Sequence, residues 1–174
     1  MKTDEFYMSL AIKQAEKSIK KNEVPIGAVI VYSGKDITRT RKINYNKSLS
    51  RIEKRYKKGD VISKAYNKKK KKKRTTHHAE ILAIEKANKK LKDYRLEGCT
   101  IYITLEPCPM CCGAILASRI DRIVIGAKSD KNGSAGSVIN ILENENFNHK
   151  VQITRNILEE ECSGLLTRFF RKLR

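Results

Sequence analysis

CTIYITLEPCPMCCGAILASRIDRIVIG, residues 99–126, is the stretch that decides the fold. Its first six residues, Cys99 to Thr104, are apolar and β-branched and read as a strand. Residues 109–118 read as a short helix opened by a proline in its first turn. Arg122 to Gly126 reads as a second strand. Working outward, Ile26 to Tyr32 is a nearly continuous apolar run, which marks a buried central strand. Residues 60–66, DVISKAY, make another strand, and residues 150–154 a last short one. Helices are predicted over residues 4–20, from His78 to Tyr94, and over 157–173. In the first of these Met8, Ala11, Ile12, Ala15 and Ile19 form the apolar stripe, with Phe6 and Leu10 off it. Strands alternating with helices predict an α/β fold, with helices layered on a mixed central sheet of about five strands. No repeat and no second domain is visible, so residues 1–174 read as one domain. A basic excursion at 33–58 separates the first two strands, and Lys68–Arg74 reads as an exposed basic loop.

The chain has 174 residues and a formal charge of +19. The excess is local: residues 33–74 hold 18 Lys and Arg against three acids, which is +15 of the total. A concentrated basic surface is the footprint of a polyanion, and RNA is the natural partner. The bland alternative is a solvated surface written by the Lys, Asn and Ile codons of an AT-rich genome. No run approaches the roughly 20 apolar residues of a membrane span. The N-terminus has acids where an export signal has an apolar core, so the expected location is the cytoplasm. The five cysteines are an odd number, which argues against a disulfide framework.

Chemistry concentrates in His78-Ala79-Glu80 and Pro107-Cys108-Pro109-Met110-Cys111. Cys108 and Cys111 are three apart, so their sulfurs share one face at a helix start. A helix N-terminus also favours thiolates. His78 adds a third ligand from a second helix start. Three protein ligands leave a fourth zinc position for water, the catalytic arrangement; structural zinc sites close with four. Residues two apart on a regular helix point about 200° apart. His78 must therefore stand at the helix entry, where Glu80 can swing beside the metal-bound water and act as acid and base. His77 is a rival ligand disfavoured by its spacing to Glu80. Cys112 reads as buried packing, and Cys99 and Cys162 as core thiols.

The spacing H-x-E … P-C-x-x-C is the signature of zinc-dependent base deaminases. The chain resembles the bacterial tRNA adenosine deaminases in particular. The resemblance runs through EVPIGAVIV (23–31), DVISKAYN (60–67), HAEI (78–81), YRLEGCTIYITLEPCPMC (94–111), the loop 127–137 and ILEEECSGLLTRFFRKLR (157–174). It covers nearly the whole chain apart from residues 33–59. Cytosine, guanine and riboflavin-pathway deaminases share the zinc motifs but not this set of flanking stretches.

The resemblance implies a cytidine-deaminase-like three-layer α/β/α sandwich, a homodimer, and one Zn²⁺ per subunit on His78, Cys108 and Cys111. Glu80 would shuttle protons during attack on C6 of the wobble adenosine of an arginine tRNA. The partner would be the tRNA anticodon stem-loop. Asn67 would hydrogen-bond the flipped base, with Asn46 a weaker candidate. Val24, Pro25, Ile26 and Ala79 would line the base pocket. RNA contacts would come from Lys68, Lys69, Lys70 and Arg74, from Lys131 in the loop, and from Arg168, Phe170, Arg171 and Arg174 in the tail. Phe169 and Leu173 fit a core face equally well. The family aspartate is replaced here by Ser129, with Asp130 one place later. Two rivals remain: a zinc deaminase of a free base or nucleotide, of guanine or cytosine type, and a non-catalytic zinc RNA-binding protein.

Overall fold

The computed structural model describes residues 2–34 and 55–173. The strands β1 (Gly27–Tyr32), β2 (Val61–Tyr66), β3 (Cys99–Leu105), β4 (Arg122–Ala127) and β5 (Gln152–Thr154) form one sheet in the order β2-β1-β3-β4-β5. β1 runs antiparallel to both β2 and β3, while β3, β4 and β5 are parallel. The sheet is therefore mixed, as expected. Every residue of β1 is buried, and so are the first six of β3. A strand covered on both faces has no polar side to alternate with, which explains the unbroken apolar runs.

Alternate residues of those runs enter two separate cores. Ala28, Ile30, Ile101, Ile103, Ile123 and Ile125 pack with α3 (Ala79–Leu91) and α4 (Pro109–Ala117) on one face. Val29, Val31, Tyr102 and Val124 pack on the other with Tyr7, Met8 and Ala11 of α1 (Asp4–Ile19) and Cys162 of α5 (Glu159–Arg171). The result is the three-layer α/β/α sandwich.

Two expectations are corrected. The buried face of α1 is Tyr7, Met8, Ala11, Gln14, Ala15 and Ser18, and Ile12 and Ile19 lie only at its margin. The cause is close approach of helix to strand. A Cβ on Gly27 would stand 2.0 Å from the Ala11 carbonyl oxygen and 2.7 Å from the Ala15 nitrogen. Small residues must face the strand there, and the larger isoleucines are rotated outward. Lys68–Arg74 is not simply a loop either. Lys69–Lys72 forms a short helix, α2. A carboxylate from outside the lysine run, that of Glu23, accepts the N–H groups of Lys70 and Lys71. Of the basic excursion, residues 35–54 lie outside the described residues, as does Asn46. The residues that flank it, Tyr32 and Gly59, are joined by a hydrogen bond from the Gly59 N–H to the Tyr32 carbonyl.

Candidate active site

α3 and α4 lie side by side on one face of the sheet, and each begins with a metal-ligand type of residue. His78 is the N-cap of α3, with φ −75° and ψ 155°, and its carbonyl accepts the Leu82 N–H. It is extended, as the His-x-Glu spacing requires. Cys108 is the N-cap of α4, with φ −75° and ψ 171°, and Pro109 follows at the first helical position, where its missing N–H costs nothing. Cys111 sits one turn in and is fully buried.

These two helix starts bring His78 Nδ1 within 3.7 Å of Cys108 Sγ and 3.6 Å of Cys111 Sγ. All three ligand atoms lie within 4.8 Å of one another, and this is the group of metal-ligating side chains found among the described residues. Tetrahedral bonds of about 2.3 Å to sulfur and 2.0–2.1 Å to nitrogen would separate nitrogen and sulfur by about 3.6 Å. The donor set and its spacing thus fit a zinc ion. His77 is half-buried beside the group but is not part of it.

The titrating groups of the cluster perturb one another strongly. The Cys108 thiol is pushed down to about 4 by hydrogen bonding with Cys111 and His78. The hydrogen bond with Cys108, together with burial, holds Cys111 above the ordinary thiol value. His78 is raised by its hydrogen bond with Cys108. Glu80 is 3% exposed, and burial raises its carboxyl. Its Oε2 is buried with no hydrogen-bond partner. An unpartnered buried carboxylate oxygen is costly.

Asn67 directly follows β2 and is 5% exposed. Its Oδ1 accepts the Ala79 N–H at 2.8 Å, between His78 and Glu80 in sequence. Its own N–H donates to the Ile26 carbonyl. Asn67 and Val24 line a cavity of about 570 Å³ together with Glu23, Thr75 and a rim of cations. Of the other expected pocket residues, Pro25 is buried, Ile26 packs against the core and Ala79 is fully buried. None of these three lines the cavity, and neither does the His78 group. The cavity is joined to the ligand cluster through Asn67.

Similarity to known proteins runs along the full chain. The tRNA-specific adenosine deaminase of Bacillus subtilis (strain 168) is 42% identical over all 174 residues, which match 92% of that protein. The chain belongs to the tRNA-specific adenosine deaminase family. The family member from Aquifex aeolicus (strain VF5) is 39% identical over 98% of this chain and 95% of its own length. The family described as MafB19-like deaminase matches residues 2–174. A structure solved in studies of A-to-I editing by tRNA:A34 deaminases at the wobble position of transfer RNA aligns with a TM-score of 0.75. It is 31% identical, over 92% of this chain and 99% of that one.

The remaining residues expected at the family's site are spread over three places. Lys69, Lys70 and Arg74 line the cavity, while Lys68 is half-buried with its ammonium 5.0 Å from the Tyr66 ring centroid. Lys131 is exposed on the loop after β4. In α5, Phe169 belongs to the core and Phe170 is exposed between exposed Arg168 and Arg171; Arg174 lies outside the described residues. Cys112, Cys99 and Cys162 are buried, and burial pushes Cys112 and Cys162 up to about 12, so they remain thiols.

Two carboxylates were not anticipated. Glu106 is 6% exposed and accepts the N–H groups of Ser129, Ala135 and Ser137 as well as the Ser137 hydroxyl. Burial raises its carboxyl, but these hydrogen bonds outweigh that and lower it. The loop that carries Ser129 and Lys131 is therefore anchored two residues before Cys108. Asp130 is exposed and pairs with Lys128. The other carboxylate is Glu23, beneath the lysine helix. A glutamate next to a Pro-containing motif is the one local hint for either.

Proposed function

We propose that this chain hydrolyses the wobble adenosine of a tRNA anticodon, of the arginine ACG type, to inosine and ammonia. One zinc ion per subunit would be held by His78, Cys108 and Cys111, in a single deaminase domain that works as a homodimer in the cytoplasm. The observation that carries the reading is the buried Glu80 carboxylate, one oxygen of which has no hydrogen-bond partner, beside a three-donor cluster with zinc spacing. Among the described residues no helix is long and apolar enough to cross a membrane.

Zinc supplies, when bound, the Lewis acidity that makes water a nucleophile near neutral pH. Glu80 takes the proton from the attacking water and delivers it to N1 of the adenine ring. The C6–O bond forms in that step; Glu80 then carries the hydroxyl proton to the amine as the C6–N bond breaks and ammonia leaves. Asn67 uses its Oδ1 on the Ala79 N–H, which leaves its NH₂ to donate to the base. An anticodon-loop base is already unpaired, so its extrusion costs little. The cations lining the cavity and the exposed Phe170, Arg168 and Arg171 favour an RNA over a free base, because a neutral base needs no polycation.

The test is inosine formation by zinc-loaded protein on a transcribed arginine tRNA with an ACG anticodon, beside free adenosine, cytidine and guanine. Inosine at the wobble position alone is the expected result. Turnover of a free base or nucleoside without a tRNA product would overturn the substrate assignment and keep the zinc chemistry.

A further inference from the structure

The cavity beside Asn67 holds more charge than base recognition requires. Lys69, Lys70, Lys73 and Arg74 line it against one carboxylate, that of Glu23. Among the described residues none of these four cations pairs with an acid. Glu23 offsets one of the four charges and, among the described residues, forms no ion pair with them. It is 1% exposed, and its two oxygens accept the peptide N–H groups of Lys70 at 3.1 Å and Lys71 at 2.7 Å.

That arrangement needs a cause. Four successive lysines repel one another on a helix, and α2 buries no side chain that would offset the repulsion. A buried carboxylate is itself costly unless hydrogen-bonded. The two features satisfy each other: Glu23 fixes the backbone of the lysine turn, and the turn's peptides satisfy Glu23. The turn ends at Lys73 in the left-handed conformation, φ 49° and ψ 43°, before Arg74 and Thr75 complete the wall. Among the described residues the side-chain cations have no acidic partner, while the peptide N–H groups of Lys70 and Lys71 are already occupied.

We infer that this cavity is a phosphodiester subsite, in which Lys69, Lys73 and Arg74 hold the phosphate beside the reacting nucleotide. Glu23 is the positioning residue that sets their backbone. The inference rests on the proposed RNA substrate. Asn67 stands on the cavity wall and is tied to the α3 start, so a base held by Asn67 places its own backbone at the cavity. The volume of about 570 Å³ falls in the range of roughly 300–1,000 Å³ typical of ligand sites, enough for a nucleotide unit.

The experiment uses the zinc-loaded full chain and a fluorescent anticodon stem-loop RNA. Each loop phosphate is replaced in turn by an uncharged methylphosphonate, and Kd is read by anisotropy across a salt series. One replacement, next to the reacting adenosine, should weaken wild-type binding about tenfold and lower the salt slope by about 0.7, the loss of one phosphate contact to a single strand. Lys73→Ala and Arg74→Ala should weaken binding of unmodified RNA similarly and add nothing on that one modified RNA. Glu23→Gln should raise Kd and KM with zinc content and kcat within about twofold of wild type, a split that loss of folding would not produce. An Arg74→Ala penalty equal on every modified RNA would overturn the subsite, because it would show diffuse attraction only. So would unchanged binding in both lysine-turn variants. Anisotropy needs no turnover, so a failure to form inosine counts against the proposed reaction and leaves the subsite to be judged by binding.

Discussion

Asn67→Ala separates the structural task of this asparagine from its proposed task in recognition. The native Oδ1 accepts the N–H of Ala79, which is fully buried in the first turn of α3. Alanine leaves that N–H without an acceptor where water does not reach, at a cost of about 1–3 kcal/mol. For a chain of this length each kcal/mol lowers Tm by about 2–4 °C, so the fall should be about 2–12 °C. The freed helix start carries His78, and loosening a ligand's support weakens metal affinity by about 10–100-fold. Asn67→Asp restores the acceptor and removes the NH₂ donor. Its zinc content should recover toward wild type and its Tm should rise above that of Asn67→Ala but stay short of wild type, because the second carboxylate oxygen is buried without that donor. Its kcat/KM should stay about 5–150-fold down, the equivalent of about 1–3 kcal/mol for one lost substrate hydrogen bond. Differential scanning fluorimetry, metal analysis and single-turnover inosine formation read the three quantities separately. Equal Tm values for the two variants would refute the role given to the Ala79 contact, and full turnover in Asn67→Asp would refute the donor role of the NH₂.

Three further outcomes are expected. Glu80→Ala should keep zinc and RNA binding while single-turnover inosine formation falls by about 10²–10⁴-fold; substantial turnover would remove Glu80 from proton transfer. Gly27→Ala should destabilise the fold by about 3 kcal/mol or more, since its Cβ would overlap the α1 backbone and not a flexible side chain. Urea denaturation reads this directly, and a loss below about 1 kcal/mol would show that α1 can move away. Burial pushes the Asp4 carboxyl up, but hydrogen bonds from Arg122 and Tyr102 outweigh it and leave it below its ordinary 3.8. Its folded pKa is depressed, so its contribution is complete above about 3.8 and is lost as pH falls through the lower folded value. Asp4→Asn should therefore cost about 1–2 kcal/mol at pH 7 and progressively less near pH 3, in urea titrations at both pH values.

What could be read in advance had a local physical cause. The apolar runs of β1, β3 and β4 mark strands covered on both faces, because such strands have no polar side. The ligand set is equally local. His-x-Glu can serve one metal only if the histidine stands outside the helix, and Cys-x-x-Cys only if it opens one. His78 and Cys108 are indeed both extended N-caps. Their joining in space follows from two helix starts packed on one face of the sheet.

The rest depended on partners far away in sequence. Whether Ile12 or Tyr7 is buried in α1 turns on Gly27, which lets the helix backbone touch the strand. A polylysine run has no tendency to form a turn by itself, and Glu23, 47 residues from Lys70, holds it in one. Glu106 anchors the Ser129 loop across 23 residues. An acid destined for burial looks the same in sequence as one left in solvent. The sequence by itself determined the layers, the strands and the three side chains that could hold a metal, since those follow from side-chain periodicity and coordination chemistry. Only the tertiary structure decided which carboxylates are buried and what they hold, because a buried charge is tolerated where distant peptide N–H groups converge on it.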